Sequence, residues 1–185
     1  MTNVTCIVGS AKNNGSSNYL IDTFINALSK SVKTKKYYIS EIKMNYCCAC
    51  KKCYKNGECI QLDDVKNVIL DMVNSDYVII AAPSYWADVP AQLKTLFDRT
   101  TPYGDTNPNR KYRAKKFIKG IAIAVRAGTR QEENELILNS IQHYFGHLGI
   151  DTVKRLSICE TDCLSDLLEN HQTEINELYN FGKQI

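Results

Sequence analysis

The chain has 185 residues, 44% of them hydrophobic and 23% charged, with a formal net charge of +3. That length suits one domain with a sizeable core, and the composition is that of an ordinary globular protein. The basic excess is spread over Lys35-Lys36, Lys51-Lys52 and residues 110–119, too dispersed for a nucleic-acid footprint, so no nucleic-acid partner is expected.

Residues 4–8, VTCIV, form a short apolar run ending at Gly9-Ser10, the pattern of a buried strand stopping at a loop. The run is too short, and wrongly flanked, for a secretory signal, and no apolar run reaches transmembrane length. A cytoplasmic protein with no membrane partner is expected, where thiols stay reduced and favour metal or redox roles over disulfides. Over residues 17–31, Leu20, Ile21, Phe24, Ile25 and Leu28 recur at three- and four-residue spacing, which predicts a helix burying one face. Residues 36–42 read as a second strand.

The segment NYCCACKKCYKNGECIQLDD follows at 45–64 and holds five of the chain's 8 cysteines. Behind it, Asp63 is the expected N-cap of a helix with Val65, Val68, Ile69, Met72 and Val73 on its inner side. Residues 77–82, YVIIAA, are apolar without alternation, as burial of a central parallel strand on both faces requires. Pro90 marks a first helical turn, followed by Leu93, Leu96 and Phe97. Residues 101–117, rich in Pro, Gly, Asn and basic side chains, read as a long surface excursion.

Residues 120–125 give another buried strand. The next helix carries Leu136, Ile137, Ile141, Tyr144, Phe145 and Leu148 inward and stops at Gly149. Residues 152–158 give a fifth strand. Residues 164–181 close the chain as a helix with Leu167, Leu168, Ile175, Leu178 and Phe181 facing in. Strands alternating with helices imply right-handed crossovers and an open parallel sheet covered on both faces, one α/β domain over 1–185. Ligands of such sheets bind beyond the carboxyl ends of the strands, near the topological switch point. The loops after strands one, three and four are therefore the candidate site.

The first loop, GSAKNNGSSN at 9–18, fits neither the Walker pattern nor GxGxxG. Hydroxyl and amide residues opening a helix, with one lysine, suit a terminal phosphate monoester. A plain helix start capped by Ser16 or Ser17 fits equally. The second loop, APSYWADVP at 82–90, sets the chain's single tryptophan beside Tyr85 where the buried strand emerges. A flat aromatic ligand would suit these residues; capping of the core or a subunit contact is the alternative. In the third, RAGTRQE at 126–132, Gly128 permits close backbone approach and Arg126 offsets negative charge. A simple strand-to-helix turn explains that loop nearly as well.

Together the loops resemble the flavodoxin-like NAD(P)H-dependent FMN reductase superfamily. Its GSxR after the first strand is matched by GSAKNNGSSN, and its P-x-Y-W-x-x-x-P-x-Q-L-K-x-F-x-D-R by PSYWADVPAQLKTLFDR. Its small Gly-rich loop after the fourth strand is matched by AGTRQEENELI, and the resemblance covers nearly the whole chain. It implies a flavodoxin-like three-layer sandwich with a five-stranded parallel sheet in the order 2-1-3-4-5, a cysteine-rich loop after strand two, and FMN as cofactor. It assigns the phosphate to Ser10, Lys12, Ser16, Ser17 and Asn18, and the border of the isoalloxazine to Pro83, Ser84, Tyr85, Trp86, Ala127 and Gly128. Two departures stand out. Lys12 replaces the usual arginine, a point charge for a fork, and the third loop has one glycine where several are common.

Cys47, Cys50, Cys53 and Cys59 read C-x2-C-x2-C-x5-C. That spacing suits a [4Fe–4S] cluster, whose four irons each take one sulfur, better than zinc, which favours two separated pairs. It also resembles the iron–sulfur flavoprotein branch of the same superfamily. Ile60 stands where bacterial ferredoxins often have proline, and Val65 follows the Asp pair where methionine is common. Metal-free thiols, zinc and a disulfide stay open as alternatives. Cys48 is out of frame, Cys6 reads as a core thiol, and Cys159 and Cys163 read as structural. His143 and His147 read as a solvated or packed helix face, and Asp63-Asp64 as a helix N-terminus and not an acid–base pair.

The resemblance implies an FMN-dependent oxidoreductase passing electrons from NAD(P)H or a ferredoxin-like donor to a small-molecule or protein acceptor. It also implies a homodimer or homotetramer, since the cluster in that branch serves a flavin across subunits. The alternatives are a cluster-free quinone, nitro or flavin reductase, a non-enzymatic FMN electron carrier, and a zinc-holding interaction module. No catalytic side chain is assigned, because the flavin ring carries the chemistry.

Overall fold

The computed structural model describes residues 1–114 and 117–185. The apolar runs form strands β1 (Asn3–Val8), β2 (Lys33–Tyr38), β3 (Tyr77–Pro83), β4 (Ile118–Val125) and β5 (Ile150–Ile158). They pair in parallel in one sheet of order β2-β1-β3-β4-β5. The helices are α1 (Ser16–Ala27), α2 (Cys53–Asn56), α3 (Val65–Val73), α4 (Ala91–Arg99), α5 (Gln131–Leu148), α6 (Leu164–Asn170) and α7 (Gln172–Gly182).

Period-two alternation divides the strand side chains between two cores. Val78, Ile80 and Ala82 of β3 join α3, α4 and α5 on one face. Ile79 and Ala81 meet α1, α6 and α7 on the other. The result is the expected flavodoxin-like sandwich of helix, sheet and helix. Cys6 is fully buried within β1, as a core thiol should be, and burial pushes its pKa up.

Several boundaries differ from expectation. The second strand runs from Lys33 to Tyr38, not over 36–42. It is an edge strand whose start, Lys33-Thr34-Lys35, is polar because half of it faces solvent, and the register Asn3↔Lys33 fixes where it begins. The closing helix breaks at His171, which ends α6 and starts α7, and Leu168 is exposed. Leu136 likewise points outward. Gly15, not Ser16 or Ser17, is the N-cap of α1, and Asp64, not Asp63, that of α3.

The excursion after α4 is only partly a surface feature. Residues 115 and 116 lie outside the described part, but Tyr103 and Asn107 are buried. Asn107 Nδ2 donates to the carbonyl of Cys53 at 3.1 Å, and Asn109 Nδ2 to that of Tyr54 at 2.6 Å. This segment therefore covers the cysteine loop.

Gly120 of β4 passes beneath α5 so closely that an added Cβ would lie 2.6 Å from Phe145 Cδ2. Gly120→Ala is expected to cost about 1–3 kcal/mol through overpacking. The urea midpoint should fall while the slope of the transition is kept.

Candidate functional site

At the carboxyl edge of the sheet an open cavity of about 280 Å³ lies between the loops after β1, β3, β4 and β5. Gly9 turns the chain out of β1 with its N–H on the carbonyl of Ala81 at 2.8 Å, and a Cβ there would meet Leu93 Cδ2 at 2.8 Å. Ser10, Lys12, Gly15, Ser16 and Ser17 line one side of the cavity. Gly15 supplies no side-chain cap, so the first N–H groups of α1 carry no side-chain acceptor among the described residues. With the positive end of the helix dipole, they make an anion-binding edge.

Pro83, Ser84 and Tyr85 line the next side, where Ser84 N–H bonds to the carbonyl of Val125 at 2.8 Å. Ala127 and Arg126 line the third. Arg126 is paired with Glu133 at 2.6 Å, while its Nε is buried without an acceptor among the described residues. Thus the structure gathers Ser10, Lys12, Ser16, Ser17, Pro83, Ser84, Tyr85 and Ala127 around one space. Three further candidates do not line it. Asn18 donates to Asp22 Oδ2 at 3.1 Å, Gly128 lies beneath the Arg126 guanidinium, and Trp86 is fully exposed.

Trp86 is exposed because of the turn that bears it. Tyr85 and Asp88 exchange backbone hydrogen bonds at 2.9 and 3.1 Å, leaving Trp86 and Ala87 as a two-residue turn with φ of 57° and 60°. Such a turn ordinarily takes Asn-Gly.

The second centre is the loop after β2. Cys47, Cys48, Cys50, Cys53 and Cys59 line a small open cavity together with Arg99. All eight cysteines of the chain are free thiols. Gly57 ends α2 at φ 73°, and a Cβ there would fall 2.1 Å from the carbonyl oxygen of Asn109. Among the described residues no three His, Cys, Asp or Glu side chains converge on a single ion. A cuboidal cluster asks for something else, one thiolate per iron around a space.

The thiols influence one another. Burial raises the Cys53 pKa, and the neighbouring Cys59 and Cys50 add to the effect. Hydrogen bonding from the Lys52 backbone holds the Cys50 thiol below its ordinary value. Ionising several of these sulfurs together is opposed by like charge unless a cation joins them.

Arg99, the largest of the fully buried side chains, is 2% exposed. Its Nη1 donates to the carbonyl of Asn45 at 2.6 Å, to Gln61 Oε1 at 3.0 Å and to Asp63 Oδ2 at 2.7 Å. Nη2 donates to Asp63 Oδ1 at 3.0 Å, which completes a bidentate pair. Burial opposes the charge, but Asp63 and Cys59 outweigh it and hold the guanidinium pKa above its ordinary value. Asp63 is therefore more than a helix-start residue. It and Arg99 close both ends of the cysteine loop onto α4, a role that local sequence patterns did not reveal.

His143 and His147 form a polar surface pair, with Nε2 atoms 3.0 Å apart and His147 Nδ1 2.7 Å from Asp105 Oδ1. No helix among the described residues is long and apolar enough to cross a membrane.

Residues 2–158 match the family model described as NADPH-dependent FMN reductase. Over 99 residues the chain is 39% identical to an iron–sulfur flavoprotein of Archaeoglobus fulgidus, covering 53% of this chain and 45% of that one. It is 32% identical over 127 residues to an iron–sulfur flavoprotein of Methanosarcina thermophila, covering 69% and 63% respectively. The chain spans about half the length of the curated relatives it matches. Among solved structures, an azoreductase from Bacillus anthracis superposes with a TM-score of 0.76 at 15% identity, covering 100% of both chains. An NAD(P)H:quinone oxidoreductase from Methanothermobacter marburgensis gives 0.73 at 14%, covering 98% and 94%. At those identities the two structures show a shared fold.

Asp63→Ala leaves the Arg99 charge buried without its carboxylate. Breaking such a pair is expected to cost about 3–5 kcal/mol. Chemical denaturation of the variant should show a loss of that order, and hydrogen exchange should rise in residues 45–63.

Proposed function

The chain belongs to the NADPH-dependent FMN reductase family, and we propose that it stands in the iron–sulfur flavoprotein branch as an FMN-dependent oxidoreductase that also carries a [4Fe–4S] cluster. One observation carries the reading: one stretch of chain, 83–99, starts at Pro83, Ser84 and Tyr85 in the wall of the helix-N-terminal cavity and ends at Asp98 and Arg99 in the wall of the thiol-lined cavity.

The residues fit FMN. Ser10, Lys12, Ser16 and Ser17 would hold its phosphate at the uncapped start of α1. Asn18, committed to Asp22, steadies that first turn. Pro83, Ser84, Tyr85 and Ala127 would border the ring, and the close packing of Gly128 under Arg126 keeps the third wall low. Bound FMN supplies hydride acceptance as an electron pair and release of electrons singly. That property suits NAD(P)H or a ferredoxin-like protein as donor, and a small molecule or protein as acceptor. Trp86, clear of its own chain's cavity, is assigned to the flavin of a second copy in a homodimer or homotetramer.

The residues also fit a cluster. Cys47, Cys50, Cys53 and Cys59 would supply one thiolate per iron, and Cys48 is a spare sulfur in the same cavity. Burial, with the neighbouring Cys59 and Cys50, raises the Cys53 pKa, and bound iron would offset the like-charge part of that cost. Cys47, Cys48 and Cys50 are exposed free thiols, which supports a second reading, a cluster-free NAD(P)H-dependent quinone or nitro reductase.

Anaerobic purification with flavin, iron and sulfide assays separates the two. One FMN with about four irons and four sulfides per chain is the expected result. One FMN with iron below about a tenth of that amount removes the cluster. For the flavin site, Lys12→Met is expected to raise the FMN Kd about tenfold, with the difference shrinking at high salt. Riboflavin, which lacks the phosphate, should bind both chains alike in a fluorescence-quenching titration.

A further inference from the structure

The hydrogen bonds of Arg99 leave part of its guanidinium unused. The group has five N–H bonds in one rigid plane. Asp63 takes the end-on pair from Nη1 and Nη2, and the other Nη1 hydrogen serves Asn45 and Gln61. Nε–H and the outer Nη2–H remain, two donors on the same edge of the plane. Nε is buried and has no acceptor among the described residues. A buried donor without an acceptor carries a desolvation cost, and each native case asks for a reason.

The reason lies in what stands beside that edge. Cys59 and Arg99 border the same two cavities, one of them the thiol-lined cavity, and the Cys59 sulfur helps to hold the guanidinium charged. We propose that Arg99 is a positioning residue for the iron–sulfur site, its free edge donating to the Cys59 sulfur once that sulfur is bound to iron. The inference rests on the cluster reading above.

Two consequences follow from the chemistry. Cys59 is selected as the fourth ligand, because a thiolate there satisfies an otherwise orphaned donor. Reduction adds one electron and no proton to a cluster, so N–H···S bonds and a fixed positive charge beside the sulfur favour the reduced state. Arg99 does not lose its proton in ordinary conditions, so the effect is independent of pH. Being buried, it also resists screening, unlike a contribution from exposed Lys51 on the rim of the same cavity.

The test is an anaerobic redox titration of the holoprotein, read by electron paramagnetic resonance of the reduced cluster, for the native chain, Arg99→Lys and Asp63→Asn. Lysine keeps the charge but has no side-on edge. Arg99→Lys is expected to lower the ratio of reduced to oxidised cluster at least tenfold at a fixed potential, which is about 59 mV for a one-electron couple. The shift should be the same at each pH. Asp63→Asn should lower thermal stability and change that ratio less than threefold. A native midpoint in Arg99→Lys, or an equal shift in Asp63→Asn, overturns the proposal. If Arg99→Lys fails to assemble a cluster while Asp63→Asn assembles one, the proposal is supported. If neither assembles, Arg99 only closes the loop and the proposal falls. Iron analysis of the native chain keeps the two readings apart. FMN without iron removes the cluster reading and this inference with it, while full iron with an unmoved potential removes this inference alone.

Discussion

A buried guanidinium ties the cysteine loop to α4. Taking the Arg99 charge out of water is costly, and only a partner of matched geometry makes it tolerable. Asp63 provides that match with two oxygens against two nitrogens, and Asn45 and Gln61 take what that carboxylate leaves. All three partners belong to the two ends of one loop. A pair of this kind adds little net stability over an apolar one of the same shape, but it admits one arrangement. For a segment whose only regular element is the short α2, a single arrangement is what keeps five thiols around one cavity.

The same constraint explains why two cavities can be served by one stretch of chain. PSYWADVPAQLKTLFDR begins at the mouth of the switch-point cavity and ends at Arg99. Between them α4 buries Leu93 and Leu96 against the sheet. Leu93 is also the side chain on which Gly9 rests, at the turn into the loop after β1. Small residues at the turn, apolar residues in the middle and a buried arginine at the end thus couple the positions of both cavities. The cover from Asn107 and Asn109 works from the other side, through two backbone carbonyls of α2.

What the sequence made legible follows the range of the forces involved. β1, β3 and β4 were readable because burial on both faces writes an unbroken apolar run. β2 was displaced by three residues because an edge strand takes its start from its neighbour's register and not from its own hydrophobicity. Most of the cavity residues were readable from loops after strands, since parallel topology brings those loops together whatever their details. The Arg99–Asp63 pair was not readable. Its members are 36 positions apart, and the local rule that makes aspartate a helix cap gave Asp63 a sufficient reason to exist. Nor was the role of Asn107 and Asn109, which in a loop rich in Pro, Gly and Asn look like ordinary turn residues.

Trp86 shows the opposite case, a residue identified correctly as special whose orientation was not foreseen. Aromatic composition suggested a ring lying over the cavity, but orientation depends on the backbone of a two-residue turn. With both central residues left-handed, the turn points the indole into solvent. Neither Trp86 nor Ala87 is a glycine, so each carries about 1 kcal/mol or more of backbone strain. Asn-Gly at these positions would relieve that strain at once and would also delete the indole. The backbone bonds between Tyr85 and Asp88, and the Asp88 carboxylate accepting from the N–H of Val89 at 2.7 Å, hold the strained pair in place. The strain is thus the direct consequence of carrying a large flat side chain clear of the cavity it borders, and that leaves the cavity open on the side where Trp86 would otherwise lie.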